Sequence, residues 1–446
     1  MYLSSKFFSM KKILTTLVLL FSLSFTSKAQ LYFPPILGAN WDTISPQQLG
    51  WCTERIDSLY DLLQRNNTKA FIILKDGKIA VEKYFDTFTK DSLWYWASAG
   101  KTVTSFLVGM AQQEGKLSIY DSTSKYLGTG WTTCPPEKER LITVRHQLTM
   151  TTGLDYLVPD WDCKLPSCLK YKADAGSQWF YHNAPYLLLQ DVLENASGFT
   201  YQQFTNTRLS NRTGVFGLWL DGVFYSKPRN MARFGLLMLN KGVWNGDTLL
   251  KDTTYYREMI NTSQNLNQSY GYLWWLNGKP THKLPGTNLT FQGDICPPAP
   301  DEVYAALGKN DQKLYVWPSQ KIVVVRMGNP AADSSLVPVV FDVEMWTEIN
   351  KLVCNLNTAV SPLPKVEKAN VYPNPVNQRL TIDAVGNNWS TFSWEMFSSA
   401  GNTVASGHST QSKTDISTVQ LPAGFYTLRL LNSQGESQLR KVSIVH

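Results

Sequence analysis

After Gly100, apolar residues fall at Val103, Phe106, Leu107 and Met110, and Gly115 supplies a stop. That spacing predicts a helix with one buried stripe, opened by Ser98. Earlier, Ile56, Leu59, Leu62 and Leu63 share one face of a helix predicted over Pro46–Arg65, with Ser45 as cap and Pro46 at its first position. Phe71–Leu74 and Ile79–Phe85 flank Asp76-Gly77, a dipeptide suited to a tight turn, and predict a hairpin. From Ser98 to about Gly242 the pattern is mainly helical, over Val103–Gln113, Val144–Thr151, Ala184–Glu194, Tyr201–Leu209 and Met231–Leu239. Val303–Leu307, Leu314–Trp317 and Ile322–Met327 then read as strands and Val340–Val353 as a closing helix. A helix and two strands early, and three strands and a helix late, predict one antiparallel sheet built from both ends of the domain. The expected class is α/β (α+β), with terminal helices flanking the sheet and an all-helical subdomain inserted at about 98–242.

Beyond Cys354 the pattern changes. A polar stretch containing Pro362 and Pro364 reads as a linker over 357–370. Short apolar runs follow at Leu380–Ile382, Trp394–Phe397, Thr403–Ala405, Thr418–Leu421, Gly424–Leu431 and Gln438–Ile444, separated by turns, and predict a small β-sandwich over 371–446. At the other end, Lys11-Lys12, an apolar core from Ile13 to Phe25 and Ser27-Lys28-Ala29 read as a secretion signal over 1–29. The main domain is therefore expected over 30–356. No later apolar run approaches the length of a membrane span.

Composition adds little to this. The formal charge of +7 includes four lysines and no acid in the first 29 residues, leaving +3 for the rest, so neither nucleic acid nor an anionic membrane is implied as a partner. Six cysteines in an exported chain make disulfides plausible. Cys163 and Cys168 bracket a four-residue loop, Cys52 and Cys354 end two helices expected side by side, and Cys134 and Cys296 remain as a third pair. There is no CxxC pattern and the five histidines are scattered, so neither a metal nor another cofactor is expected.

The chemistry starts at Ser98. Lys101 lies one turn along the same helix face, which brings an amine to the hydroxyl, and a lysine in a partly desolvated cleft loses its proton readily enough to act as base. Three other Ser-x-x-Lys matches, at Ser9, Ser122 and Ser167, fall in the export signal, a polar turn and the cysteine loop; only Ser98 opens an amphipathic helix. Tyr181-His182-Asn183 stands in a loop just before a helix. Beside a lysine ammonium the Tyr181 phenolate would be favoured and could relay the Ser98 proton, while Asn183 could orient a substrate carbonyl. Leu307-Gly308-Lys309-Asn310-Asp311-Gln312 joins two predicted strands. There Lys309 would face the cleft and attract a carboxylate, and the Gln312 N–H would join that of Ser98 as an oxyanion hole.

Taken together, Ser98-Ala99-Gly100-Lys101, Tyr181-His182-Asn183 and Lys309-Asn310-Asp311 resemble the Ser-x-x-Lys, Tyr-x-Asn and Lys/His-x-Gly elements of serine hydrolases of the beta-lactamase and penicillin-binding family, class C type. His146–Leu154 and Tyr315–Ser319 leading into Ile322–Arg326 agree. The resemblance covers about Pro46–Val353 and implies an acyl-enzyme hydrolase of esters or amides acting on a small-molecule or short-peptide substrate. A beta-lactamase, a D-alanyl-D-alanine carboxypeptidase or a D-aminopeptidase are alternatives within the family; a surface protein that binds without turnover is one outside it. The chain departs from the family at Asp311, where glycine is usual. A carboxylate there is expected to stand beside Lys309, weaken its positive charge and repel the acid group of β-lactams. Val371–Pro375, Asp415-Ile416-Ser417, Leu421–Tyr426 and Arg440-Lys441-Val442 resemble the type A sorting domain of type IX (Por) secretion. That resemblance implies handling by the type IX machinery and a secreted or cell-surface location.

Overall fold

The structure is a computed structural model that describes residues 31–331, 340–354, 369–384, 389–398, 402–432 and 437–445. The predicted signal and nearly all of the predicted linker lie outside the described residues.

The main domain is organised on a six-stranded antiparallel sheet in the spatial order Lys78–Tyr84, Thr68–Lys75, Ile322–Gly328, Gln312–Trp317, Tyr304–Gly308 and Trp275–Leu276. The first and last thirds of the domain meet where Ile72 faces Val325 and Ile73 faces Val324. Side chains alternate between the two faces of a strand, and the strand Gln312–Trp317 shows what covers each. Tyr315 and Trp317 pack edge-on to Trp346 of the helix Val340–Val353. Leu314, on the other face, lies against the helix Pro228–Leu239 so closely that a Cβ on Gly235 would stand 2.7 Å from it. Helices on both faces explain why Ile322–Met327 reads as an almost continuous apolar run rather than an alternating one.

The helix Ile56–Arg65 packs beside Val340–Val353, and the two are tied by a Cys52–Cys354 disulfide with a Cα–Cα distance of 5.8 Å. Cys163 and Cys168 are bonded as well. The third expected pair does not form. Cys134 is buried with Trp131, Ile142 and Leu169 in a small separate cluster, whereas Cys296 belongs to the main core, so both stay as thiols.

Other expectations also need correction. The helix predicted from Pro46 begins at Ile56, after a short 3-10 turn at Thr53–Arg55. The block between Ser98 and Gly242 is not all helical: Gly217–Leu220 and Val223–Ser226 form a hairpin about Asp221-Gly222, and Trp94–Tyr95 adds a third strand. Both turn residues have positive φ, as a tight hairpin turn requires.

The C-terminal unit has a three-stranded sheet (Asn370–Tyr372, Arg379–Asp383, Lys413–Ser417) and a four-stranded one (Thr403–Ser409, Phe392–Ser398, Gly424–Asn432, Ser437–Ile444) around Leu380, Met396, Leu428 and Val442. Its fifth strand is Lys413–Ser417, so the strand expected at Thr418–Leu421 is instead the turn that follows it.

Candidate active site

The Ser98 turn is shaped by what precedes it. Trp96 is fully buried, its N–H donating to Phe224 O at 2.8 Å and its indole N–H to Ser226 Oγ at 2.8 Å. Ala97 then takes φ 47°, in the left-handed region that costs an L-residue about 1–2 kcal/mol. This bend sends the chain into the 3-10 turn Ala97–Gly100 and on into the helix Lys101–Gln113. Ser98 is half-buried on that turn.

Lys101 is 5 % exposed, and its Nζ donates to Ser98 Oγ at 2.9 Å. The ring of Tyr186 lies 4.3 Å from the amine and that of Tyr181 5.2 Å away. Burial pulls the lysine down to about 7 from its ordinary 10.5, against a smaller upward pull from the Asp162 carboxylate. A buried amine is stabilised in its neutral form, the form that accepts a proton.

Tyr181 precedes the helix Asn183–Ser197 by two residues, and its ring lies 5.2 Å from the Lys101 amine that donates to Ser98 Oγ. It stacks on Trp275 at 5.7 Å and meets Tyr270 edge-on at 6.2 Å. This aromatic wall desolvates the phenol and raises its pKa. The phenolate expected from the sequence is therefore not favoured: the neighbouring lysine is itself desolvated, and Tyr181 keeps its proton. His182 is buried, with both ring nitrogens unpartnered among the described residues, and is held down to about 4. Asn183 opens the helix, and its Oδ1 is buried without a partner among the described residues.

The third element is the turn between Tyr304–Gly308 and Gln312–Trp317. Gly308 lies directly on the Ser98 turn, where a Cβ would stand 2.3 Å from Trp96 O and 3.0 Å from Ala99 N. Asn310 and Asp311 both have φ of 60°, and Asn310 Nδ2 donates to Tyr95 Oη at 2.7 Å. From below, the fully buried Arg326 donates to Asn310 O at 3.1 Å and Asp311 O at 2.9 Å, and is itself anchored on Asn66 O at 2.6 Å. Lys309 is exposed. The Gln312 side chain is turned inward, its Nε2 donating to Asn310 O and Gly328 O at 2.7 Å each.

Asp311 does not stand beside Lys309. It is 6 % exposed, accepts from Ala331 N–H at 3.0 Å and lies 3.2 Å from the ammonium of Lys313, which also pairs with Asp342 at 2.7 Å. Two successive left-handed residues rotate its side chain into the interior, so the expected masking of Lys309 is not what this geometry gives.

Ser98, Lys101 and Tyr181 are thus brought together, with the Gly308 turn against them. Tyr186, Arg326 and Asp162 were not singled out from the sequence. The first is legible as an aromatic one turn into the helix after Tyr181, and the second as a lone charge inside an apolar strand.

Residues 63–335 match the model of the beta-lactamase family, and residues 370–445 match that of the secretion system C-terminal sorting domain. An uncharacterized protein of Alkalihalophilus pseudofirmus is 22 % identical over 310 residues, spanning 60 % of this chain and 85 % of that protein. Among solved structures, a penicillin-binding protein homolog from Caulobacter crescentus shares the fold with TM-score 0.52 at 13 % identity, covering 67 % of this chain and 97 % of its own. A family VIII carboxylesterase does so with TM-score 0.50 at 12 % identity, covering 66 % and 96 %. The C-terminal sorting domain implies export to the medium or the cell surface. No helix among the described residues is long and apolar enough to cross a membrane.

Proposed function

The chain belongs to the beta-lactamase family, and from that membership and the geometry above we propose that it is a secreted serine hydrolase that cleaves an ester or amide through an acyl-enzyme. The observation that carries this reading is the 2.9 Å contact between the Ser98 hydroxyl and a buried Lys101 whose pKa is pulled to about 7. Neutral Lys101 takes the proton of Ser98 as Oγ attacks the substrate carbonyl carbon. The N–H groups of Ser98 and Gln312 receive the oxyanion, and Asn183 orients the substrate. Tyr181, still protonated, gives its proton to the departing alcohol or amine and is reprotonated from the Lys101 ammonium. Water then adds to the acyl carbonyl carbon as Lys101, neutral again, takes one of its protons; the acyl–Oγ bond breaks, the Lys101 ammonium returns that proton to Ser98 Oγ, and the acid is released.

Exposed Lys309 leaves room for a second reading, a beta-lactamase or carboxypeptidase-like activity on substrates that carry a carboxylate. Export is proposed to follow the signal over 1–29 through the inner membrane and then the type IX machinery across the outer membrane.

A fluorophosphonate probe tests the nucleophile. Purified protein should be labelled at Ser98 and hydrolyse a p-nitrophenyl ester, and Ser98→Ala should lose both while keeping its melting temperature. Undiminished turnover in that variant removes Ser98 from the mechanism, and no labelling of the wild type favours a binding protein without turnover.

A further inference from the structure

Arg326 sits in an otherwise apolar strand, and every donor of its guanidinium is used. Nε donates to Thr68 Oγ1 at 3.0 Å, Nη1 to Asn310 O at 3.1 Å and Asp311 O at 2.9 Å, and Nη2 to Asn66 O at 2.6 Å and Asn329 O at 2.9 Å. The planar fork thus binds oxygens from separate stretches of chain at its two edges, which a single ammonium could not do. Gly328 makes room for it, because a Cβ there would stand 2.7 Å from Nη2. The side chain is fully buried, and although burial lowers its pKa to about 10 it stays a cation at neutral pH.

The two Nη1 bonds hold the turn that leads into Gln312. Asn310 and Asp311 are left-handed in succession, a conformation that persists only when its surroundings over-determine it, and both of their carbonyls are gathered on one nitrogen. Asp311 O and the Gln312 N–H belong to the same planar trans peptide, so they point in opposite directions. A grip on that carbonyl from the interior therefore fixes where the N–H aims. The guanidinium charge also polarises the peptide through its oxygen and makes the N–H a stronger donor. The other end of the fork rests on Asn66 O and Thr68 Oγ1, at the start of the strand Thr68–Lys75, so the turn is braced across the sheet. We propose that Arg326 is the positioning residue of the oxyanion hole, setting the direction and the donor strength of the Gln312 N–H. The assignment rests on the serine-hydrolase reading and deepens it.

Arg326→Lys keeps the charge and loses the fork. On p-nitrophenyl butyrate its kcat should fall about 10²-fold, the scale of one lost oxyanion donor, with KM within about twofold and the acidic limb of the pH profile in place. The readout specific to the oxyanion is the matching thionoester, with C=S in place of C=O. Sulfur accepts hydrogen bonds poorly, so wild type should prefer the oxo ester and the variant should lose much of that preference. Val325→Ala, buried on the opposite face of the same strand, is the control for stability: it should lose melting temperature but keep kcat and the preference. Where Arg326→Lys does not fold, Thr68→Val, which frees only Nε, carries the same test with a fall in kcat of about threefold. A preference unchanged from wild type in the folded variant, whatever its kcat, or an equal change in Val325→Ala, overturns the proposal and leaves the serine-hydrolase reading intact. A wild type that turns over neither ester overturns the two together.

Discussion

On the proposed serine-hydrolase reading, Lys101 should set the pH dependence of acylation. In water its amine would hold a proton to pH 10.5, and in this site it does so only to about 7. The tyrosine rings at 4.3 and 5.2 Å favour the ammonium, by roughly 0.5–2 kcal/mol in such contacts, as does the Asp162 charge. A shift of this size corresponds to about 5 kcal/mol against the charged form, so desolvation dominates both. If neutral Lys101 takes the Ser98 proton, kcat/KM should be flat above pH 8 and fall tenfold per unit below 7. A p-nitrophenyl ester without ionisable groups, followed from pH 5 to 9, reads this directly. Tyr181→Phe should lower the plateau by about 10²-fold and leave the limb in place, since the phenol does not titrate in this range. The same shift has a sign for stability. The folded chain releases the lysine proton near 7 and the unfolded chain near 10.5, so this residue's contribution to stability rises with pH across that window. Lys101→Met should therefore melt higher than wild type at pH 6, with the advantage shrinking toward pH 10. A limb above pH 9 would mean that the lysine is charged and something else is the base. A limb below 5 would point to a carboxylate.

Two further substitutions probe the sheet edge. Gly308→Ala places a Cβ 2.3 Å from Trp96 O, so the strand end must move off the Ser98 turn; kcat/KM should fall by about 10²-fold or more with a modest loss of melting temperature, and near-wild-type activity would show that the contact does not position the site. Asp311→Asn tolerates the same backbone but removes a buried charge from the Lys313 pair, and urea unfolding should show a loss of about 2–4 kcal/mol with no gain in nitrocefin hydrolysis relative to a neutral ester; an unchanged midpoint, or a gain on nitrocefin, would mean that Asp311 faces the cleft after all.

Much of the fold was legible because its signals are local. The Asp76-Gly77 hairpin and the run from Ile322 to Met327 declare themselves within a few residues, and Ser98 to Lys101 is one helical turn. The hairpin at Gly217–Ser226 escaped because Leu218 and Leu220 are about half exposed, so its apolar positions do not mark a core face, although Asp221-Gly222 was a readable turn. Cys134 and Cys296 could not be separated by counting, because the two clusters that hold them are distinguishable only in space. The aim of the Asp311 side chain depends on partners as remote as Asp342 and on two left-handed residues in succession. Nothing in the tripeptide itself reports either.

The inward turn of Asp311 changes what the exposed surface of the site can discriminate. With that carboxylate engaged by Lys313, it does not offset Lys309, and an anionic substrate meets no repulsion from it. Lys101 and His182 are driven toward neutrality by burial, whereas Lys309 on the sheet-edge turn is exposed and left to act on a ligand. On the proposed reading, what counts is where along the molecule an acid group would lie relative to a carbonyl presented to Ser98. A neutral ester is accordingly the appropriate reporter of the proton transfers, and a charged one, matched in shape, of the selection.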